Sequence, residues 1–141
     1  MVALSTGPVE RGADTERVRV VVLNAGRCPV RVTVLIRDVG RAGRGHGRHK
    51  PILFRRRVVL PGRTAVFDAD LGAALRYEVR LHTPSRRLLF YVFGYHRDRW
   101  WPGLVPDPAA TFRHTELVRL DAGARRPTRA PGVHVPRCRR A

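Results

Sequence analysis

The chain has 141 residues, with 28 Lys or Arg against 11 Asp or Glu, a formal charge of +17 and 43% hydrophobic residues. That length suits one domain with tails, and no apolar run reaches the roughly 20 residues that would span a bilayer. Met1 to Pro8 has neither the charged start nor the long apolar stretch of a signal peptide, so cytoplasmic synthesis is expected, with assembly on a spore or envelope left open.

The charge needs care before it is read as a nucleic-acid signal. Lys50 is the only lysine and Asn24 the only asparagine, glutamine is absent, and Ile36 and Ile52 are the only isoleucines. A GC-rich genome biases codons in this way and explains Arg in place of Lys. It does not explain why acids are few, so polyanion binding stays an alternative.

Residues 1–15 are small and patternless and read as a flexible arm. Arg17 to Leu23 alternates Arg with Val and then turns apolar, as a half-buried strand does. Asn24-Ala25-Gly26 supplies a turn. Val30, Val32, Val34 and Ile36 share one face of the next strand, opposite Arg31, Thr33, Leu35 and Arg37. Val39 to Lys50 is a loop of Gly, Arg and His. Ile52 to Leu60 follows as a strand with Arg55, Arg56 and Arg57 at its middle; with Phe54 and Val58 inward, Arg56 points inward too and must pair or snorkel.

Pro61-Gly62 marks a turn. Thr64 to Asp68 is a short strand, and Ala69 to Leu75 a single helical turn. In Arg76 to Thr83, Tyr77, Val79 and Leu81 point in, while Arg76, Glu78, Arg80 and His82 point out. Leu88 to Phe93 is apolar on both faces, which suits a central strand covered on both sides. His96 to Ala110, with Trp100, Trp101, Pro102, Pro106 and Pro108, reads as a loop. Phe112 to Leu120 closes the domain as its last strand. Asp121 to Ala141 is rich in Arg, Pro and Gly and reads as disordered.

The fold class is therefore all-β: a single antiparallel β-sandwich of immunoglobulin-like or jelly-roll type, about seven strands over residues 16–120, between a flexible arm at 1–15 and a basic tail at 121–141.

Several short segments occur in a characteristic order: Val20-Val21-Val22-Leu23-Asn24, Leu60-Pro61-Gly62-Arg63, Tyr77-Glu78-Val79, Val92-Phe93-Gly94 and His114-Thr115-Glu116-Leu117-Val118. In this order the chain resembles a group of small, uncharacterised single-domain β-sandwich proteins of spore-forming Gram-positive bacteria, over roughly residues 18–120. The resemblance implies an architecture and a spore or envelope setting, and no catalytic residue. The Gly-Arg loop, the Trp pair and the basic tail depart from it.

Candidate chemistry is sparse. His46 and His49 have a metal-compatible spacing with Cys28, but lie among cationic neighbours with no cluster to complete a site, so neither metal nor cofactor is expected. Asp68 and Asp70 are too few oxygen donors for calcium and read as caps of the turn that follows. His114 and Glu116 would make an acid–base pair without nucleophile or oxyanion site, so an enzyme is not expected. Glu116 is read instead as the ion-pair partner of a strand arginine such as Arg56 or Arg80. Cys28 and Cys138 read more readily as two free thiols than as a bridge.

Three binding readings follow. The first is a non-enzymatic structural or interaction module, joining a protein partner or a second copy through edge strands, the Trp100–Trp101 loop and the terminal arms. The second is a polyanion site formed by Arg41, Arg44, Arg48 and Lys50 with the tail residues Arg125, Arg126, Arg129, Arg137, Arg139 and Arg140. The third is carbohydrate binding by Trp100 and Trp101.

Overall fold

A computed structural model describes residues 1–40, 49–97 and 103–120. Among these the strands are β1 (Val2–Ser5), β2 (Val9–Glu10), β3 (Arg17–Asn24), β4 (Val30–Asp38), β5 (Lys50–Val59), β6 (Thr64–Asp70), β7 (Arg76–Thr83), β8 (Leu88–Arg97), β9 (Leu104–Arg113) and β10 (Val118–Arg119). One 3₁₀ turn, His114–Glu116, links the last two.

The strands form two antiparallel sheets. One has the order β10-β1-β7-β4-β5, with β2 also on β7, and the other has the order β6-β3-β8-β9. The chain crosses between sheets from β2 to β3, β3 to β4, β5 to β6, β6 to β7, β7 to β8 and β9 to β10. This is the wiring of a jelly roll, with the edge place beside β8 taken by the C-terminal β9.

The core is the inner face of each sheet. Val18, Val20 and Val22 of β3, Val30 to Ile36 of β4 at alternate positions, Tyr77, Val79 and Leu81 of β7, and Leu88, Phe90 and Val92 of β8 are all buried. Alternation puts every second side chain on one face, and each such Val or Leu taken out of water contributes roughly 1.5–3 kcal/mol.

The two-sheet, all-β architecture is as expected, but the described residues form ten strands and not about seven, and several further expectations change. Residues 1–15 are not an arm, because β7 needs a backbone partner on that edge and β1 and β2 supply it in succession: Leu4 pairs with Leu81 and Val9 with Tyr77. At the break between them Gly7 has φ 66°. Across that break Thr6 N–H donates to the Val79 carbonyl at 3.1 Å, while its Oγ1 accepts from Val79 N–H at 3.1 Å. Arg11 Nε then donates to the Thr15 carbonyl, and Arg11 Nη1 to that of Gly72.

Residues 104–110, read as part of a loop, and 112–113, read as the start of the last strand, lie together in β9; the rest of that expected strand holds the 3₁₀ turn His114–Glu116 and the two residues of β10. Prolines are tolerated there because β9 is an edge strand whose outward amides have no ladder to join. Tyr95 faces Pro106 and Phe93 faces Thr111, so residues 107–110 bulge out opposite Gly94. Asp107 holds the bulge, accepting from Ala109 N–H at 3.0 Å and from Thr15 Oγ1 at 2.8 Å.

Segment 69–75 is not helical. Residues 69–70 finish β6, and a turn closed by Ala74 N–H to Leu71 O at 2.9 Å follows. The arginines of β5 have the opposite parity to the one expected. Arg55 and Arg57 lie across from Val34 and Val32, on the inward side at the rim, with Arg57 over the Phe67 ring at 5.4 Å. Arg56 faces outward beside Phe54, its guanidinium 5.2 Å from that ring centroid.

Candidate functional site

The outer face of the four-stranded sheet is built from residues in register across β6, β3, β8 and β9. Leu23 lies beside Leu89. Val66, Val21, Tyr91 and Arg113 form the next row, Asp68, Arg19, Phe93 and Thr111 the third, and Asp70, Arg17, Tyr95 and Pro106 the fourth. Apart from Arg113 at the β9 end, the first two rows are apolar and open: Leu89 is 47% exposed, Val66 41% and Tyr91 40%. Tyr91 and Phe93 have ring centroids 5.4 Å apart, and Phe93 and Tyr95 5.9 Å. The apolar run of β8 is thus covered on one side only.

The two further rows carry balanced charge. Arg19 Nε and Nη2 donate to the two Asp68 oxygens at 2.7 and 2.8 Å, and the guanidinium lies 5.4 Å from the Tyr95 ring centroid. The hydrogen bond from Arg19 holds the Asp68 carboxyl below its ordinary range, and the bond to Asp68 raises Arg19. With both side chains partly exposed, the pair is worth about 1 kcal/mol or less. Arg17 sits opposite Asp70, whose Oδ1 accepts from Gly72 N–H at 2.8 Å. Asp70 therefore caps the turn as the sequence suggests, while Asp68 is an ion-pair acid.

The other sheet's outer face is basic: Arg37 lies opposite Glu78, and Arg80, then His82 with Arg56, and Arg31 follow along the strands. Glu78 is only 4% exposed although its position alternates outward. Ser5 Oγ donates to it at 2.6 Å, Arg37 Nε at 2.8 Å and Arg80 Nε at 2.8 Å. Burial pushes this carboxyl up, but the hydrogen bonds from Arg80, Ser5 and Arg37 outweigh burial and the net shift is down. Burial also lowers His82, helped by the Arg80 charge.

The expected pair of Arg56 with Glu116 does not form. β5 is one edge of its sheet, and Glu116 lies in the 3₁₀ turn leading to β10 at the opposite edge. Glu116 instead accepts from Arg113 N–H at 2.6 Å, and Arg80 is taken by Glu78. Glu78 is the buried acid that the sequence reading missed; Arg37 opposite it in register and Arg80 two residues on are the signal that finds it.

Lys50 is exposed at the start of β5. Arg41, Arg44, Arg48, His46, Trp100, Trp101, Arg125, Arg126, Arg129, Arg137, Arg139, Arg140 and Cys138 lie outside the described residues. Cys28 is disulfide-bonded, which corrects its reading as a free thiol. No group of three or more metal-ligating side chains occurs among the described residues, and no helix there is long and apolar enough to cross a membrane. Comparison with protein-family models, curated proteins and solved structures returned no match.

Proposed function

We propose that the protein is a non-enzymatic interaction module that associates with a second copy of itself through the outer face of its four-stranded sheet. The observation that carries this is the exposed row of Val66, Val21 and Tyr91 beside Leu89, flanked by rows in which two arginines face two aspartates. A chain of charge +17 repels its copies. A contact made where the charge is balanced avoids stacking arginine on arginine, and a two-fold axis lying between the copies, parallel to the strands, sets the same apolar rows against each other.

Four strands about 4.8 Å apart and about seven residues long give a face on the order of 400 Å². Stable interfaces bury about 800 Å² per partner, so the association is weak and concentration-dependent. A spore or envelope setting follows from the family resemblance alone and belongs to the proposal in that sense.

Sedimentation velocity across a concentration series tests the reading, using the native chain, Tyr91→Lys, and Phe54→Lys as a control on the opposite sheet. The native chain and the Phe54 variant are expected to grow in apparent mass together, and the Tyr91 variant to stay monomeric. A native chain that is monomeric up to roughly 1 mM, or equal disruption by both variants, overturns it.

A second reading is polyanion binding. Most acids on the described surface are engaged by arginines or backbone amides, as Asp68, Asp70, Glu78 and Glu116 show, which leaves a basic surplus at Arg55, Arg57, Arg86, Arg87 and Lys50. Retention on heparin that falls steeply with salt would support it; indifference to salt would sink it.

A further inference from the structure

The two sheets leave a cavity at the seam where β1 and β10 face β8, roofed by the 3₁₀ turn that carries the chain from β9 to β10. Its volume is about 300 Å³, at the lower end of the ~300–1,000 Å³ of small-molecule sites. The interior is apolar: Leu4, Leu88, Phe90 and Leu117 line it and are all at least nine-tenths buried. The His114 ring stacks on Phe90 with centroids 5.8 Å apart and planes 14° apart, and its Nδ1 is shielded from solvent without a hydrogen-bond partner.

The rim has a different character. Arg86 and Arg119 both line the cavity and are exposed, the hydroxyl residues Ser85 and Thr115 stand beside them, and no carboxylate lines it. An apolar interior with two guanidiniums at its mouth matches one kind of molecule: a narrow hydrocarbon body with a single anionic head. A polyanion would meet apolar walls, and a neutral hydrocarbon would leave both guanidiniums without a counter-charge. A guanidinium fork takes a carboxylate through paired hydrogen bonds.

We infer that this seam binds a medium-chain carboxylate, with the chain lying against Leu4, Leu88, Phe90 and Leu117 and the carboxylate held by Arg86 and Arg119. The inference is independent of self-association, because the cavity opens between the sheets and not on the outer face that carries Tyr91.

Isothermal titration of the full chain with octanoate, octanol and butyrate tests it. Octanoate is expected to bind saturably, with octanol and butyrate each roughly tenfold weaker, one for want of the charge-assisted bonds and the other for want of buried chain. The double variant Arg86→Gln/Arg119→Gln removes two exposed side chains and leaves the core intact. It is expected to lose roughly tenfold in octanoate affinity, while Arg55→Gln/Arg57→Gln binds as the native chain does. Tyr91→Lys is expected to bind octanoate normally even where self-association is lost. Absence of saturable octanoate binding, equal affinity for octanol, or equal losses in the two arginine double variants overturns the proposal.

Discussion

The Asn24 side chain and the Val59 carbonyl tie the end of β3 in one sheet to the end of β5 in the other, with Nδ2 donating at 2.8 Å. The same nitrogen donates to the Cys28 carbonyl at 2.8 Å, and Oδ1 accepts from Gly26 N–H at 2.9 Å. Its backbone bonds Arg63 O and Gly62 N–H, so the Pro61-Gly62 turn is fastened to the same residue. Asn24 is fully buried. Asn24→Ala leaves the Val59 carbonyl without its donor and is expected to cost about 3 kcal/mol. Asn24→Asp fares no better, since an ionised carboxylate has no proton for either carbonyl. Urea unfolding checks both, with the midpoint falling and the slope unchanged.

Glu78 sets a pH limit. Its folded carboxyl lies below the ordinary value of 4.5, so its contribution is fully present above pH 4.5 and is lost as pH falls through the lower folded value. His82 is also lowered, from 6.5. The unfolded chain therefore takes up that proton first, and stability begins to fall as pH drops below 6.5. Acid unfolding is expected in two stages, and His82→Asn should remove the upper one. Glu78→Gln leaves Arg37 and Arg80 without their buried acid and is expected to cost about 3 kcal/mol at pH 7, a loss that shrinks as pH falls below 4.5. Thermal midpoints from pH 7 down to pH 3 follow both effects.

The Tyr77 hydroxyl is buried without a hydrogen-bond partner, and burial, with the nearby Asp107 charge, pushes it up to about 12. Removing an unsatisfied buried group does not expose another, so Tyr77→Phe is expected to be neutral or to stabilise by about 1–3 kcal/mol. Gly94 beside it has the opposite sensitivity. An added Cβ would meet Thr15 Cγ2 at 2.8 Å and both Ala110 Cβ and the Tyr77 hydroxyl at 3.2 Å. Gly94→Ala is expected to cost about 1–3 kcal/mol through overpacking, and the double variant with Tyr77→Phe to recover part of it. Equilibrium unfolding of the four proteins closes the cycle.

Alternation made β3, β4 and β7 legible, because one polar and one apolar face leave no choice of side: Val18, Val20, Val22, Val32, Val34, Tyr77, Val79 and Leu81 are buried as their spacing requires. Where alternation lapses, the sequence is silent on what matters. Leu88 to Phe93 is apolar throughout, and nothing local says that one side lies open. Arg55, Arg56 and Arg57 are identical residues, so only pairing with β4 decides which faces out. β1 and β2 are too short to show a period and are split by Gly7-Pro8. Glu78 has outward parity, yet Arg37 from β4 and Arg80 two residues on lie against it, a contact that needs the sheet order. The apolar outer face was missed for the same reason: its rows are assembled from β6, β3, β8 and β9 and exist only once these are aligned.

Salt separates the two readings of function. Raising ionic strength from about 0.1 M to about 1 M shortens the Debye length from ~10 Å to ~3 Å. Two copies of a chain with charge +17 then repel less, while contact between Leu89, Tyr91 and Val66 is not weakened by screening. Sedimentation at fixed protein concentration is therefore expected to show a larger associated fraction at high salt. Binding to a polyanion releases counterions and responds in the opposite sense, by several orders of magnitude where many phosphates are contacted. An associated fraction that falls with salt would mean that charge pairs hold the copies together, which the balanced rows of Arg17, Arg19, Asp68 and Asp70 permit only if Arg19 abandons Asp68. In that case Arg19→Ala would abolish association and Tyr91→Lys would leave it intact.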